Sequence, residues 1–312
     1  MPIVSPGKMD FSKKNIIMIL SGLPGTGKTT LALSAPDVLL IDTDEGLARV
    51  NPAHRKDASV CKTYEEILAD IKEARGKYKT IVIDTCGALI EYMKDWAVRT
   101  DPKASKANGG FSLQGYGVIK SEFVRLSAEL RKDFNVIYLF HESMTKNGDE
   151  GVFYELVVEG STRTLVYQPA DLAGHLFIDH GKRYVGFTPT EQYSAKAAYG
   201  IKGIIEIPEL KDGDPNDFLT RLFDKVRSNL AAETAELNPK RDAYTLAMNA
   251  GKKIIQFVAN PDDVPEAAKK IKELSHALTS EKELKDMLKK RVAELGIVWD
   301  RNAKVYKYAD SN

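Results

Sequence analysis

Residues Gly22, Leu23, Pro24, Gly25, Thr26, Gly27, Lys28 and Thr29 match G-x-x-x-x-G-K-[ST] at every fixed position. The chemistry of that pattern is phosphate binding. Gly22, Gly25 and Gly27 let the backbone turn tightly and aim N–H groups at phosphate oxygens. A helix starting near Lys28 adds the positive end of its dipole. Lys28 is placed to reach the β- and γ-phosphates of a nucleoside triphosphate and the Thr29 hydroxyl to ligate Mg2+. Thr30 is expected to add a second phosphate contact. A set of acids suits the same chemistry. Residues 81–84, Ile-Val-Ile-Asp, form an apolar run ending in Asp84, which would hold Mg2+ through water opposite Thr29. Asp42, Asp44 and Glu45 close another apolar run. Either Asp44 or Glu45 could orient the water that attacks a γ-phosphate, and the residues alone do not choose between them. His141 and Glu142 end a further run, where a polar side chain such as His141 can sense the γ-phosphate.

These side chains need a scaffold that brings strand ends together. Apolar runs at 15–20, 38–42, 80–84 and 135–141 predict buried strands. Between them, helical spacing is expected over 63–75, 87–99 and 118–132, with a polar loop at 100–117. The alternation predicts an α/β fold with a mainly parallel sheet covered on both faces. From 143 to 190 the extended runs shorten and Gly148, Gly151 and Gly160 punctuate them, which predicts added β-hairpins. Residues 208–215 form a turn-rich junction. Beyond it, 216–295 read as helical, with breaks near Asn238-Pro239 and Asn260-Pro261. The organisation expected is a core over 1–212 and a C-terminal helical region over 213–312.

Composition narrows the function classes. A chain of 312 residues with 43% hydrophobic residues can bury a substantial core, and its formal net charge of +1 gives no global pull toward nucleic acid or membrane. Cys61 and Cys86 have neither metal-ligand spacing nor a disulfide framework, so they read as reduced and structural. No apolar stretch is long enough for a membrane span, and the N-terminus lacks a signal-peptide pattern. Asp171, His175, Asp179 and His180 invite a metal reading, but strand parity sends His180 to the face opposite His175 and Asp179.

The order of the pieces resembles that of RecA-type ATPases. More closely, it resembles phage-encoded RecA- and RadA-like ATPases of the single-strand annealing and recombination type. The likeness is carried by residues 22–30, 39–46, 80–85, 136–142 and 194–200, and spans roughly 14–210. It implies a RecA-like P-loop core that binds ATP and Mg2+ between subunits and hydrolyses ATP. The catalytic carboxylate falls on Asp44, with Glu45 adjacent, and His141 stands where RecA has a glutamine sensor. Lys196, in a stretch similar to the K-N-R-F-G motif of RadA, would reach a neighbouring subunit's nucleotide. Two DNA-binding loops would fall at about 100–116 and 143–160, supplying Lys103, Lys106, Lys146 and Arg163. The implied function is binding of single-stranded DNA and annealing or strand exchange in DNA recombination and repair. Ring or filament homo-oligomers, a single-stranded-DNA-binding partner protein and a cytoplasmic location (the host's, for a phage protein) follow from the same likeness. A rival reading is a nucleotide switch acting on a protein partner, with the C-terminal helices as docking module. A small-molecule kinase fits less well, because Arg99 and Arg163 are isolated and form no Arg-rich lid.

Overall fold

The computed structural model describes residues 11, 13–106, 110–146, 151–158, 163 and 166–309. They fall into two compact units, Ser12–Asn229 and, for the C-terminal part, Leu230–Asn312.

The first unit is built on a nine-stranded sheet. In chain order its elements are β1 (Ile17–Gly22), α1 (Lys28–Ala32), β2 (Val38–Asp42), β3 (Ala58–Val60), α2 (Tyr64–Ala74), β4 (Thr80–Asp84), α3 (Cys86–Thr100), α4 (Leu113–Asp133), β5 (Asn135–Lys146), β6 (Val152–Leu156), β7 (Leu172–Asp179), β8 (Lys182–Gly186) and β9 (Ile204–Ile207). The strand order is β3-β2-β4-β5-β1-β7-β8-β9, with β6 paired to β5. Strands β3, β2, β4, β5, β1 and β7 run parallel, whereas β6, β8 and β9 join antiparallel. The α/β class, the mainly parallel sheet and the added hairpins are thus as expected. Two details differ. β7 pairs in parallel with β1 and so extends the central sheet as well as starting a hairpin. β9 is an additional edge strand.

Register explains how the chemistry converges. Asp42 lies opposite Asp84, and Gly22 lies opposite both His141 and Leu176. The carboxyl ends of four strands therefore meet on one edge, where α/β sheets bind ligands. β1, β2 and β4 are buried at every position, as parallel strands covered on both faces must be. On one face, Ile67 and Ile71 of α2, Leu89 and Met93 of α3, and Phe123 and Leu126 of α4 pack against Ile81, Ile83 and Tyr138. Each such side chain contributes about 1.5–3 kcal/mol by leaving water.

Helix α4 begins at Leu113, earlier than the 118 expected from its apolar stripe. Ser112 supplies the signal: its hydroxyl accepts the Gly115 amide at 3.0 Å, an N-cap bond. Gly115 looks like a loop residue but is needed for close packing, since a Cβ there would lie 2.7 Å from the Ala104 carbonyl oxygen. Helix α1 is only five residues long, so its dipole is slight and the phosphate cradle depends on the loop amides.

The α5 helix (Phe218–Gln256) continues through Pro239, where the sequence predicts a break. Proline removes one amide donor there without ending the helix. Its first turns belong to the sheet unit. Leu219 N donates to Ser34 Oγ at 2.9 Å, Thr220 N donates to Ser34 O at 3.1 Å, and Leu219, Phe223 and Val226 are buried. Compactness therefore divides the chain at Asn229/Leu230, beyond the turn-rich junction at 208–215. The second unit packs Met248 and Ile255 of α5 against Val264 and Ile271 of α6 (Asp263–Lys272) and Leu284 and Leu288 of α7 (Ser280–Glu294). The predicted break near Pro261 is present. A C-terminal hairpin, β10 (Ile297–Asp300) with β11 (Val305–Tyr308), is an element the helical reading does not contain. No helix among the described residues is long and apolar enough to cross a membrane.

Candidate active site

The loop between β1 and α1 has the backbone its glycines permit. Gly25 and Gly27 sit at φ of 83° and 92°, in the left-handed region. Gly22 is required for a different reason, because a Cβ there would lie 2.6 Å from the Leu176 carbonyl oxygen. Thr26 closes the turn by donating its hydroxyl to Leu23 O at 2.9 Å. Pro24 and Gly25 are exposed at the tip.

Lys28 is buried and folds back over this loop, donating to Gly22 O at 2.9 Å and Leu23 O at 3.0 Å. Burial pulls its pKa down, and the negative charges of Asp84, Glu142 and Asp44 oppose that shift. Thr29 donates its hydroxyl to Asp84 Oδ2 at 2.6 Å. Burial raises the Asp84 carboxyl to about 6; the Thr29 hydrogen bond opposes this, and the Asp44 and Asp42 charges add to it. A buried acid facing like charges is stabilised by a cation. Thr29 and Asp84 provide oxygen donors of the kind Mg2+ takes, one or two protein ligands beside phosphate and water. Among the described residues no group of three or more His, Cys, Asp or Glu could hold a metal ion. The residues fit Mg2+.

The loop after β2 separates Asp42, Asp44 and Glu45 into three situations. Asp42 accepts the Gly46 amide at 2.8 Å and the Leu47 amide at 3.0 Å, so both its oxygens fix the short 3-10 turn Gly46–Arg49. Glu45 takes φ of 58° and is exposed. Asp44 turns inward. Its Oδ2 lies 3.8 Å from His141 Nε2 and 3.4 Å from Arg49 Nη2, while its Oδ1 is buried without a hydrogen-bond partner. His141 Nδ1 is likewise buried and unpartnered. Burial and the nearby Lys28 ammonium lower the His141 pKa against the pull of Asp44, which favours the neutral ring. Thr85 caps α3 with its hydroxyl on the Ala88 amide and is not part of the site.

Two neighbours escape sequence reasoning as site residues. Glu142 is buried beside Lys28, and its Oε2 lies 2.8 Å from His175 Nδ1, out of line for a hydrogen bond. His175 stacks on Tyr193 with centroids 4.1 Å apart. The adjacency of Glu142 to His141 at a strand end was the only signal available for it. Arg183, on β8, lies against the face of Gly27, and nothing in its sequence context marks it.

The remaining expected residues fall elsewhere. Thr30 has its carbonyl bound by Asn216 Nδ2 at 2.9 Å and lines a cavity of about 450 Å3 beside the loop. Lys196 donates to Ala170 O at 2.5 Å within its own chain. Lys103, Lys106 and Lys146 are exposed. Arg163 is engaged by Glu155 at 2.6 Å and by Val158 O. Residues 107–109 and 147–150 of the two expected DNA loops, with Gly148 and Gly160, lie outside the described residues. Asp171 accepts from Ile17 N, Lys14 and Tyr199 at 2.8–2.9 Å. Burial would raise its pKa, but these bonds together hold it below the usual carboxylate value and occupy its oxygens. Cys61 and Cys86 are free and buried.

The AAA domain family model (AAA_24) matches residues 14–199, a span that contains the loop glycines, Lys28, Thr29, Asp44, Asp84 and His141. No curated protein matches the chain. Among solved structures, flagellar accessory protein FlaH from Methanocaldococcus jannaschii is similar over 63% of this chain and 91% of its own, at 14% identity and a TM-score of 0.31. With a P-loop at a strand end, a strand-terminal acid facing its threonine and a family match over more than half its length, the chain belongs to the AAA domain family and is a P-loop ATPase.

Proposed function

We propose that the protein hydrolyses ATP with Mg2+ and couples turnover to single-stranded DNA. The observation that supports the chemistry is the convergence of Lys28, the Thr29–Asp84 pair, Asp44 and His141 at one sheet edge. In this reading the loop amides bind the phosphates, and Lys28 exchanges the Gly22 and Leu23 carbonyls for phosphate oxygens. Thr29 and Asp84 would hold Mg2+, which when bound would supply positive charge for the phosphoryl oxygens. Asp44, through its unpartnered Oδ1, accepts a hydrogen from the attacking water and orients it. His141, close to Asp44, responds to whether that water and the γ-phosphate are present. Its strand, β5, runs on to Lys146, so a change at His141 has a direct backbone route to an exposed basic position.

The DNA part rests on the resemblance to recombination ATPases and on Lys103, Lys106 and Lys146 being exposed. Contacts of that kind would be chiefly to phosphate, and binding would weaken as salt rises. The intersubunit part requires Lys196 to leave the Ala170 carbonyl for a neighbour's nucleotide. Assembly as a ring or filament and recruitment of a single-stranded-DNA-binding protein complete this reading. A specific observation favours the rival switch reading: Met144 and Val152, on the same hairpin as Lys146, and Val157 just after it are exposed apolar side chains suited to a protein partner.

The test is Mg2+-dependent ATP hydrolysis with and without single-stranded DNA, with binding followed across a salt series. Stimulation by DNA and a negative salt slope are expected. Hydrolysis indifferent to DNA, with no ATP-dependent DNA binding, favours the protein-partner switch. Hydrolysis that survives Lys28→Ala sinks the site itself.

A further inference from the structure

We infer that Arg183 is the cation that holds the non-transferred end of the nucleotide, acting in cis through the α-phosphate on the side of the P-loop opposite Asp84. The inference rests on the ATP site proposed above and assigns a binding residue that the loop motif does not contain.

Position comes first. Arg183 lies along Gly27 so closely that a Cβ at 27 would sit 3.2 Å from its Nε and 3.4 Å from its Cδ. Gly27, at φ of 92°, is one of the residues whose backbone shapes the cradle. The guanidinium is therefore beside the phosphate-binding loop and separated from it by no side chain. It also lines the cavity of about 450 Å3 with Gly27, Thr30, Leu31 and Ile207, a volume in the range of small-molecule sites.

Charge comes second. The other guanidinium on this cavity, Arg221, is already paired with Asp217 at 3.0 Å. Asp214 accepts the Lys211 amide at 2.9 Å. The Arg183 backbone pairs within the sheet, but its guanidinium has no hydrogen bond or ion pair with any described residue. An arginine left unpaired against a phosphate loop offers a planar fork that fits two oxygens of one phosphate.

The polarity of the loop then selects which phosphate. Lys28 and Thr29 face Asp84 and Asp44, so the transferring group and Mg2+ belong to that side. Thr30 and Arg183 line the cavity, which leaves the α-phosphate and the nucleoside for them. ATP and ADP share that α-phosphate. Loss of Arg183 should weaken both by one factor and leave the chemical step alone, the pattern of an interaction made equally in ground and transition states.

The experiment is calorimetric titration of full-length wild-type, Arg183→Ala, Arg183→Lys and Lys28→Ala proteins with ADP and with a non-hydrolysable ATP analogue, alongside steady-state hydrolysis. For Arg183→Ala, affinity for both nucleotides should fall about tenfold or more and by equal factors. KM should rise with kcat within about twofold, and Arg183→Lys should recover part of the loss. Unchanged affinities, a loss confined to the triphosphate, or a fall in kcat at constant KM would each overturn the assignment. Arg183→Lys serves as the test if Arg183→Ala fails to fold. Lys28→Ala separates the levels: if it binds as tightly as wild type, the ATP site itself is wrong, whereas loss in Lys28→Ala with normal binding in Arg183→Ala refutes Arg183 alone.

Discussion

On the Thr29 side of the P-loop, Asp84 and Asp44 crowd a buried lysine, one Asp44 oxygen has no partner, and burial among like charges lifts the Asp84 carboxyl to about 6. On the Thr30 side, Arg221 is matched by Asp217, the Thr30 carbonyl is satisfied by Asn216, and the space is a cavity. The first side carries polar groups whose needs the protein leaves unmet. The second is neutralised by its own contacts except at Arg183, whose unpaired guanidinium is left to hold a phosphate that does not react. Unmet electrostatic demand marks where a cation and a reacting phosphate belong, because preorganised charge is effective only if it has not relaxed onto the protein. Satisfied surroundings suit the part of a ligand that only has to be held.

The contrast can be broken by substitution. The largest effect is expected from Lys28→Ala, which removes charge-assisted contacts to two phosphates, about 4 kcal/mol or a thousandfold in ATP affinity, read by calorimetry. Next comes the stability of the nucleotide-free protein. Asp84 titrates at about 6 in the fold against an ordinary 3.8, so the folded state holds its proton more tightly than the unfolded chain does. The associated penalty is absent below about pH 4, grows as pH rises to about 6, and then stays at about 3 kcal/mol. Asp84→Asn keeps an acceptor for Thr29 and should remove that slope. Its urea midpoint should pull ahead of wild type between pH 4 and 6, and parallel curves would mean that the acid is not strained.

Asp44→Ala should lower kcat about a hundredfold as a lost general base, with Glu45→Ala within about threefold. The reverse order would move the catalytic role to Glu45. The smallest effect belongs to the satisfied side: Asn216→Ala, which loses the bond to Thr30 O, should cost about 1 kcal/mol in a chemical melt and leave kcat unchanged. A large loss of kcat there would erase the distinction between the two sides.

Much of this site was legible in the chain. The glycine spacing, Lys28, Thr29 and Asp84 follow from a local pattern, since a strand, a tight turn and a helix start are set by neighbouring residues. Four of the sheet's strands announced themselves as apolar runs, and Asp42, Asp44 and His141 were visible as their polar ends. The edge strand β9 and the C-terminal hairpin were not, because short strands of mixed polarity such as Ile204–Ile207 carry little periodicity.

The sequence by itself determined what the chain binds and where its phosphate loop lies, because those depend on contacts a few residues apart. Only the tertiary structure decided which acid looks into the site. Asp42, by capping Gly46 and Leu47, sets the turn that points Asp44 inward and leaves Glu45 in solvent. Tertiary packing likewise brought Glu142 to Lys28, laid Arg183 against Gly27 and folded Lys196 onto Ala170. Those partners are separated by between 26 and 156 positions along the chain, and no spacing rule spans such distances. Sheet register does, by fixing which strand ends lie side by side.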